Sequence, residues 1–384
     1  MLALDEVGHY GGREGTGMQA LQSLAPERVY HNGDEFFDDL IGALNSATVS
    51  VDFEAYTFEN DRLGRRVARA LTAAASRGVK VRILVDGAGS PNWHADFMPQ
   101  LLSAGIECRI YHPFPWQIRS FKKFFERIAQ LNRRNHKKSY IVDGKFAWVG
   151  SMNISECHMP RHAGAEAWRD SGVRIYDGRV QALTAAFESS WREGRFLRRG
   201  SMRRLHPLVR LNNTRLRRET IYKDLLKRIA RAQERVWVTN AYFVPRRGLV
   251  RSLCRAASSG ADVRLLLPKD CDIFFIPWVS SVFYDVLLRS GVKIYEYKKS
   301  MCHAKTLVID KWSTIGSSNM NHRSLFHDLE VDVVLSTVEA RQSIEGQFIE
   351  DLTNSCQVKL EEWKQRPWLE RFFCRTLLLI KHFI

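Results

Sequence analysis

Hydrophobic positions fall into helical and strand-like spacings, and the same succession of spacings occurs twice along the chain. Behind Asp34, a residue suited to capping a helix, Phe36, Phe37, Leu40, Ile41 and Leu44 share one helical face. Thr48 to Phe58 is β-branched and aromatic and predicts a strand. Leu63, Val67, Ala70, Leu71 and Ala74 predict a second helix, closed by Gly78, and Val79–Val85 a buried strand. The order returns later. Tyr222, Leu225, Leu226 and Ile229 mark a helix, Arg235–Val244 a strand, Leu249, Leu253 and Ala256 a helix ending at Gly260, and Val263–Leu267 a strand. Arg77–Leu84 lies over Ser259–Leu266, and Ser103–Ile106 over Arg289–Val292. Alternating strand and helix predicts an α/β fold, and its recurrence predicts two pseudo-symmetric α/β/α halves that build one site at their interface.

The remaining segments read less regularly. Residues 1–26 suggest a loose leader, and the first half is placed at 27–197. Residues 198–218 hold eight arginines and no acid, which fits a solvated linker or an anion-binding surface equally well. The second half follows at 219–355, and 356–384 reads as an amphipathic tail. Charge sharpens this picture. Among 384 residues, 58 Lys and Arg stand against 42 Asp and Glu, a net charge of +16, so the surface will attract anions such as nucleic acid, anionic headgroups or phosphorylated substrates. The seven cysteines are scattered and form no CxxC pair, which argues against a zinc site or a disulfide framework and suits a reducing compartment. The first thirty residues lack the basic-then-apolar order of a signal peptide, and the longest uncharged apolar run, Ile273–Tyr284, is too short to span a bilayer.

The chemistry lies in a motif present once per half. His136, Lys138 and Asp143 form H-x-K-x4-D, followed by Gly150, Ser151 and Asn153; His303, Lys305 and Asp310 form it again, followed by Gly316, Ser317 and Asn319. Residues two apart on a strand face the same way, so each His and Lys project together into one cavity. Two copies facing each other present two imidazoles and two ammonium groups around one centre, a site for a phosphodiester. One neutral imidazole attacks phosphorus, the other protonates the departing oxygen, and the lysines hold the non-bridging oxygens. Asn153 and Asn319, with Ser151 and Ser317 beside them, are placed to donate further hydrogen bonds to those oxygens. A lone His-x-Lys is weak evidence; the repetition of five features in both halves is not.

On these residues the chain resembles the phospholipase D superfamily, and within it the bacterial cardiolipin synthases, in particular the shorter class without N-terminal membrane helices. Trp168–Ile175, Gly316–Leu325 running on to Glu330, and Val81–Pro91 carry the finer likeness, and the resemblance covers roughly residues 27–355. It implies phospholipase D-like halves and a chemistry without metal or other cofactor, through a phosphohistidine on His136, with His303 as general acid and then base. It also implies that each histidine has an acidic partner downstream in its own half, Asp170 and Glu330, which fixes its tautomer. Asp143 and Asp310 complete the catalytic motif as residues that hold strand ends and neighbouring loops. Six residues separate Asp143 from Gly150 and five separate Asp310 from Gly316, a departure that leaves the placement of Asn319 open.

The implied activity is phosphatidyl transfer between two phosphatidylglycerol molecules, giving cardiolipin and glycerol. A phospholipase D or a nucleic-acid phosphodiesterase uses the same half-reaction, and a basic membrane scaffold with a decayed site is the non-enzymatic alternative. The expected partners are phosphatidylglycerol and an anionic membrane surface rather than nucleic acid, at the cytoplasmic face of a bacterial inner membrane. An insertion at about 113–134 mixes Phe114, Trp116, Phe121, Phe124 and Phe125 with Arg119, Lys122, Lys123, Arg127, Arg133 and Arg134, which suits an anionic bilayer interface, single-stranded nucleic acid, or a helix packed on the domain. Ile273–Trp278 suits an acyl groove or buried core, and Trp368–Ile384 an interfacial helix or a docking helix.

Overall fold

A computed structural model describes residues 25–114, 133–192, 206–366 and Thr376. The first half runs β1 (Glu27–Tyr30), α1 (Gly33–Ser46), β2 (Ser50–Ala55), α2 (Arg62–Ser76), β3 (Lys80–Asp86), α3 (Trp93–Asp96), α4 (Met98–Ser103), β4 (Glu107–Tyr111), β5 (Ser139–Val142), β6 (Phe146–Gly150), α5 (Pro160–Ala163), β7 (Gly172–Ile175) and α6 (Arg179–Trp191). The second runs β8 (Val209–Leu211), α7 (Arg215–Arg231), β9 (Arg235–Thr239), α8 (Arg247–Ser258), β10 (Asp262–Pro268), α9 (Ile276–Ser281), α10 (Tyr284–Arg289), β11 (Lys293–Tyr297), β12 (Thr306–Ile309), β13 (Trp312–Gly316), α11 (His322–Phe326), β14 (Val331–Val334), α12 (Val338–Thr353), β15 (Ser355–Val358) and α13 (Leu360–Lys364).

Each half is one mixed sheet, and the two orders match: β1-β7-β6-β5-β2-β3-β4, and β8-β14-β13-β12-β9-β10-β11 with β15 added at the far edge. The βα crossovers make β2, β3 and β4 parallel, as they do β9, β10 and β11. One face of each sheet packs on its own helices: Phe37, Leu40 and Leu71 lie in one core, and Leu249, Leu253 and Ile229 in another. The opposite faces meet. Val149 and Val173 of the first sheet, Ile315 and Val333 of the second, Phe187 of α6 and Phe348 of α12 form a single cluster that joins the halves. Gly78 and Gly260 close α2 and α8 at φ of 88° and 99°, the left-handed conformation that glycine adopts without a Cβ penalty.

Several boundaries differ from the sequence reading. The cap of α1 is Asn32, whose side chain accepts from Glu35 N–H, so Asp34 lies inside the first turn. The Arg-rich segment 198–218 is not a linker from 209 onward: Val209 and Leu211 are buried in β8 with Arg210 between them, and α7 begins at Arg215. Residues 356–358, expected in the tail, form β15 with Ser355 against β11 instead, and Trp363 then packs on Tyr284 at 4.9 Å. The leader up to residue 24, the insertion from 115 to 132 and the tail beyond Arg366 apart from Thr376 lie outside the described residues. Of the insertion's ends, Arg134 is buried, donates to His112 O at 2.8 Å and lies over the Phe114 ring, so it serves the fold.

Candidate active site

Both motif histidines sit just before a central strand, His136 before β5 and His303 before β12, and both line one cleft of about 350 Å³ between the halves. Tyr56, Trp168, Tyr242 and Phe275 form its aromatic walls. Two short cross-connections hold the histidines there. His136 N–H donates to Leu329 O at 2.9 Å, and Leu329 N–H returns a bond to Arg134 O. In the other direction, His303 N–H donates to Arg169 O at 2.8 Å, and Arg169 N–H donates to Met301 O. The backbone leading into each histidine therefore pairs with the backbone leading into the acidic residue of the opposite half.

This pairing exchanges the expected acidic partners. His136 Nδ1 lies 3.0 Å from Glu330, and His303 Nδ1 lies 2.8 Å from Asp170. Asp170 and Glu330 do meet imidazoles, but across the interface rather than within their own halves. Each carboxylate engages Nδ1, which leaves Nε2 for the cleft.

The two carboxylates are held differently. Asp170 accepts from Ser151 Oγ and Ser171 N–H, and its Oδ2 lies 3.0 Å from His158 Nδ1. Burial alone would raise its pKa, yet the imidazoles of His303 and His158 hold it well below the usual carboxylate range. Glu330 accepts from Ser317 Oγ and Ser324 Oγ. Burial dominates there and pushes it up to about 7, against the pull of Lys138 and the serine bonds. Burial likewise keeps both cleft imidazoles uncharged: His136 is held well below its ordinary value, with Lys138 and Lys305 adding to the effect, and His303 falls to about 3, with Lys305 adding to burial and Asp170 opposing it.

Lys138 and Lys305 are buried beneath the cleft. Each donates to the carbonyl of its own histidine and lies near a tyrosine ring of its own half, Lys138 at 5.0 Å from Tyr56 and Lys305 at 5.7 Å from Tyr242. Desolvation lowers their pKa values to about 7 and about 8. Asn153 and Asn319 line the cleft, and each has a buried side-chain oxygen without a hydrogen-bond partner among the described residues. The unequal spacing after the two aspartates is absorbed in the hairpin turns. Val142 pairs with Phe146 across three residues, and Ile309 with Trp312 across two, so Asn319 is not displaced.

Two sequence assignments are corrected. Ser151 and Ser317 do not face the cleft; they donate to Asp170 and Glu330, because Gly150 and Gly316 let each strand approach its neighbour too closely for a side chain. Asp143 and Asp310, counted with the catalytic motif, do not line the cleft; they hold strand ends and neighbouring loops, as expected of them. Each occupies a left-handed turn position, at φ of 53° and 50°, and accepts backbone N–H groups: Thr48, Val49 and Ser50 for Asp143, and Gln233, Glu234 and Arg235 for Asp310. These bonds tie each motif strand to the start of its neighbour.

The sequence reading missed His158, Arg323 and the two tyrosines. His158 Nε2 accepts from Asn153 N–H at 3.1 Å, so its proton sits on Nδ1 beside Asp170, and this imidazole links the carboxylate to the Asn153 turn. Arg323 lines the cleft and bonds Asp328 at 3.0 Å. Ala55-Tyr56 and Ala241-Tyr242 follow equivalent strands, so the internal repeat carried a signal for the tyrosine pair. His158, Asp170 and His303 also bring three potential metal-ligand atoms within 4.8 Å of one another, although Asp170 Oδ2 already lies beside both imidazoles.

Comparison with known proteins decides the family. Residues 40–191 and 225–352 match the family model described as cardiolipin synthase, phospholipase D-like domain. The chain belongs to that family. It is 30% identical to a cardiolipin synthase of Geobacillus kaustophilus over 362 residues, covering 91% of this chain and 70% of that one. It is also 30% identical to cardiolipin synthase B of Salmonella typhi over 372 residues, covering 93% and 86%. Among solved structures, phosphatidylserine synthase of Haemophilus influenzae superposes with a TM-score of 0.70 at 12% identity, covering 97% of this chain and all of that one, which establishes the shared fold. The chain is accordingly an enzyme of the phosphatidyltransferase class, acting on phospholipids.

Proposed function

We propose that the chain joins two phosphatidylglycerol molecules into cardiolipin, releasing glycerol, through a phosphohistidine on His136. The observation that carries this reading is the convergence of two imidazoles on one cleft, each with Nδ1 fixed by a carboxylate from the opposite half. The carboxylates divide the labour. Asp170, held anionic, favours positive charge on His303 and suits it to general acid–base work. Glu330, balanced near neutrality, leaves His136 uncharged and suits it to attack.

The anionic phosphodiester entering the cleft offsets the charge of Lys138 and Lys305 and raises the proton affinity of His303 Nε2. His136 Nε2 attacks phosphorus, the P–N bond forms, the P–O bond to glycerol breaks, and His303 gives its proton to the departing oxygen. The terminal hydroxyl of a second phosphatidylglycerol then passes its proton to His303 and attacks phosphorus, breaking the P–N bond. Lys138, Lys305, Asn153 and Asn319 stabilise the charge that builds on the non-bridging oxygens. The aromatic walls favour a lipid alcohol over water.

Beside the cleft, Phe274 is 71% exposed and Trp278 43% exposed, while Ile273, Phe275 and Ile276 line the cleft itself. This apolar lip supports peripheral docking on an anionic bilayer, at the cytoplasmic face of a bacterial inner membrane. The test is incubation of purified protein with labelled phosphatidylglycerol vesicles in the presence of chelator. Cardiolipin with equimolar glycerol is the expected result, together with acid-labile label retained on His136. Phosphatidic acid alone would make the enzyme a lipase, and cleavage of single-stranded DNA without lipid turnover would remove the lipid reading.

A further inference from the structure

A second cavity, of about 1010 Å³, opens in the second half between α7, α8 and α11, and none of its lining residues lines the catalytic cleft. Two elements separate them. Helix α11 turns Arg323 and Ser324 to the cleft and His322 and Phe326 to the second cavity. A small apolar cluster of Val244, Ile276 and Val279 does the same, with Phe275 on the cleft side and Phe283 on the other.

The wall is strongly cationic. Lys223, Arg246, Arg247 and Arg251 line it, and among the described residues none of them has a carboxylate partner. Arg218, also on the wall, donates to the main-chain oxygens of Asn212 and Phe326. The one acid there, Glu219, is already engaged by Arg215 at 3.3 Å. Arg246 lies 4.5 Å from the centre of the Phe326 ring, and that ring meets Tyr222 edge-on at 5.5 Å. Tyr222, Leu226, Val244, Phe283 and Phe326 give the cavity an apolar lining beside its charges.

The corresponding helices of the first half are charged differently. There Arg161 bonds Asp38 at 2.7 Å and approaches Asp34, and Arg66 bonds Asp38 at 2.7 Å. The cap of α2 is Asp61, which accepts from Gly64 and Glu156 N–H, whereas the cap position of α8 holds Arg246 with no capping bond. One half pairs its cations with its own carboxylates; the other leaves cations around an open space. Concentrating four such charges is unfavourable unless an anion joins them.

We propose that this cavity binds the phosphodiester headgroup of an anionic phospholipid, at a site separate from the catalytic cleft. The phosphate is called for by the unpaired arginines and lysine, and the lipid by the apolar and aromatic lining, which a free phosphate would leave unused. The choice of phospholipid rests on the enzyme's lipid chemistry. Such a site anchors the second half to an anionic bilayer while the cleft turns over other lipid molecules.

The test uses the full chain carrying His136→Ala, so that no turnover occurs, with phosphatidylcholine vesicles doped with a diazirine-bearing phosphatidylglycerol. Irradiation and peptide mapping are expected to label 215–226 and 244–251 as well as the cleft segment 273–276. Arg247→Glu with Arg251→Glu should reduce the first two labels about tenfold and leave the cleft label, as loss of two charge-assisted phosphate contacts implies. Should that pair misfold by circular dichroism, Arg247→Gln with Arg251→Gln replaces it. Arg69→Glu with Lys145→Glu, matched in charge and exposed in the first half, should change nothing. Labels confined to the cleft, or lost equally in the first-half control, overturn the proposal. Displacement of the cavity labels by millimolar inorganic phosphate as readily as by lipid overturns the lipid assignment. None of these readouts requires turnover, so a failure to make cardiolipin would count against the reaction and not against this site.

Discussion

The two halves share strand order, motif and core, yet their carboxylates and their outer helices behave differently. Asp170 is pinned as an anion by two imidazoles and a serine; Glu330, held by two serines next to Lys138, is pushed towards neutrality. On the outside, Asp34 and Asp38 pair with the first half's Arg66 and Arg161, while the second half leaves Arg246, Arg247 and Arg251 without carboxylate partners among the described residues. The repeat supplies two equivalent histidines in unequal surroundings, and the proposed division of labour rests on that difference. Electrostatics rather than backbone geometry sets the difference.

The sharpest way to break this comparison is to remove each imidazole. His136→Ala and His303→Ala should each lower phosphatidyl transfer roughly a thousandfold or more. With a p-nitrophenyl phosphodiester, whose leaving group needs no proton, His303→Ala should regain a measurable burst of nitrophenol and His136→Ala should not. Equal recovery would erase the proposed division of labour. Next in size, Asp170→Asn should cost about a hundredfold in kcat and Glu330→Gln about tenfold, since an anion beside His303 matters more than a near-neutral acid beside His136. The reverse order would invert the assignment.

A smaller effect is expected in the pH profile. Lys138 and Lys305, lowered by burial to about 7 and about 8, are charged below those values and neutral above them. kcat/KM should therefore fall as pH rises through that range, while the depressed His136 contributes no acid limb until well below its ordinary value of about 6.5. Lys305→Arg should carry the alkaline fall upward, because guanidinium does not titrate there. A profile unchanged by that substitution would remove the lysines as its cause. Smallest for catalysis are Asp143→Ala and Asp310→Ala. Each should cost about 1–2 kcal/mol in urea denaturation by loss of backbone bonds at a left-handed position, with kcat unchanged. A matching loss of kcat would return these aspartates to the site.

The motif made the two histidines of the cleft legible, although they stand in the segments leading into β5 and β12 rather than on the strands whose period of two was invoked. The α/β repeat was equally plain in Leu63–Ala74 and Leu249–Ala256. What failed depended on contacts distant in sequence. Ser151 and Ser317 were assigned to phosphate because nothing local shows how closely β6 approaches β7 or β13 approaches β14. The exchange of Asp170 and Glu330 depends on the register of the interface, which pairs Asn135 with Leu329 and Arg169 with Cys302. In β8, the apolar-polar-apolar alternation of Val209, Arg210 and Leu211 was present but too short to stand out among arginines. His158 looked like any other histidine until Asp170 and Asn153 closed around it.

The exchanged carboxylates mean that neither half is self-sufficient. Cut apart between the halves, each fragment would keep its histidine and lose the carboxylate that engages its Nδ1, so on the proposed mechanism activity and correct docking become one event. A substitution that loosens the interface anywhere along Arg134–His136 or Arg169–Asp170 reaches both reaction steps at once. The molecule cannot be half assembled and half active, and a mispaired chain is silent rather than hydrolytically stray.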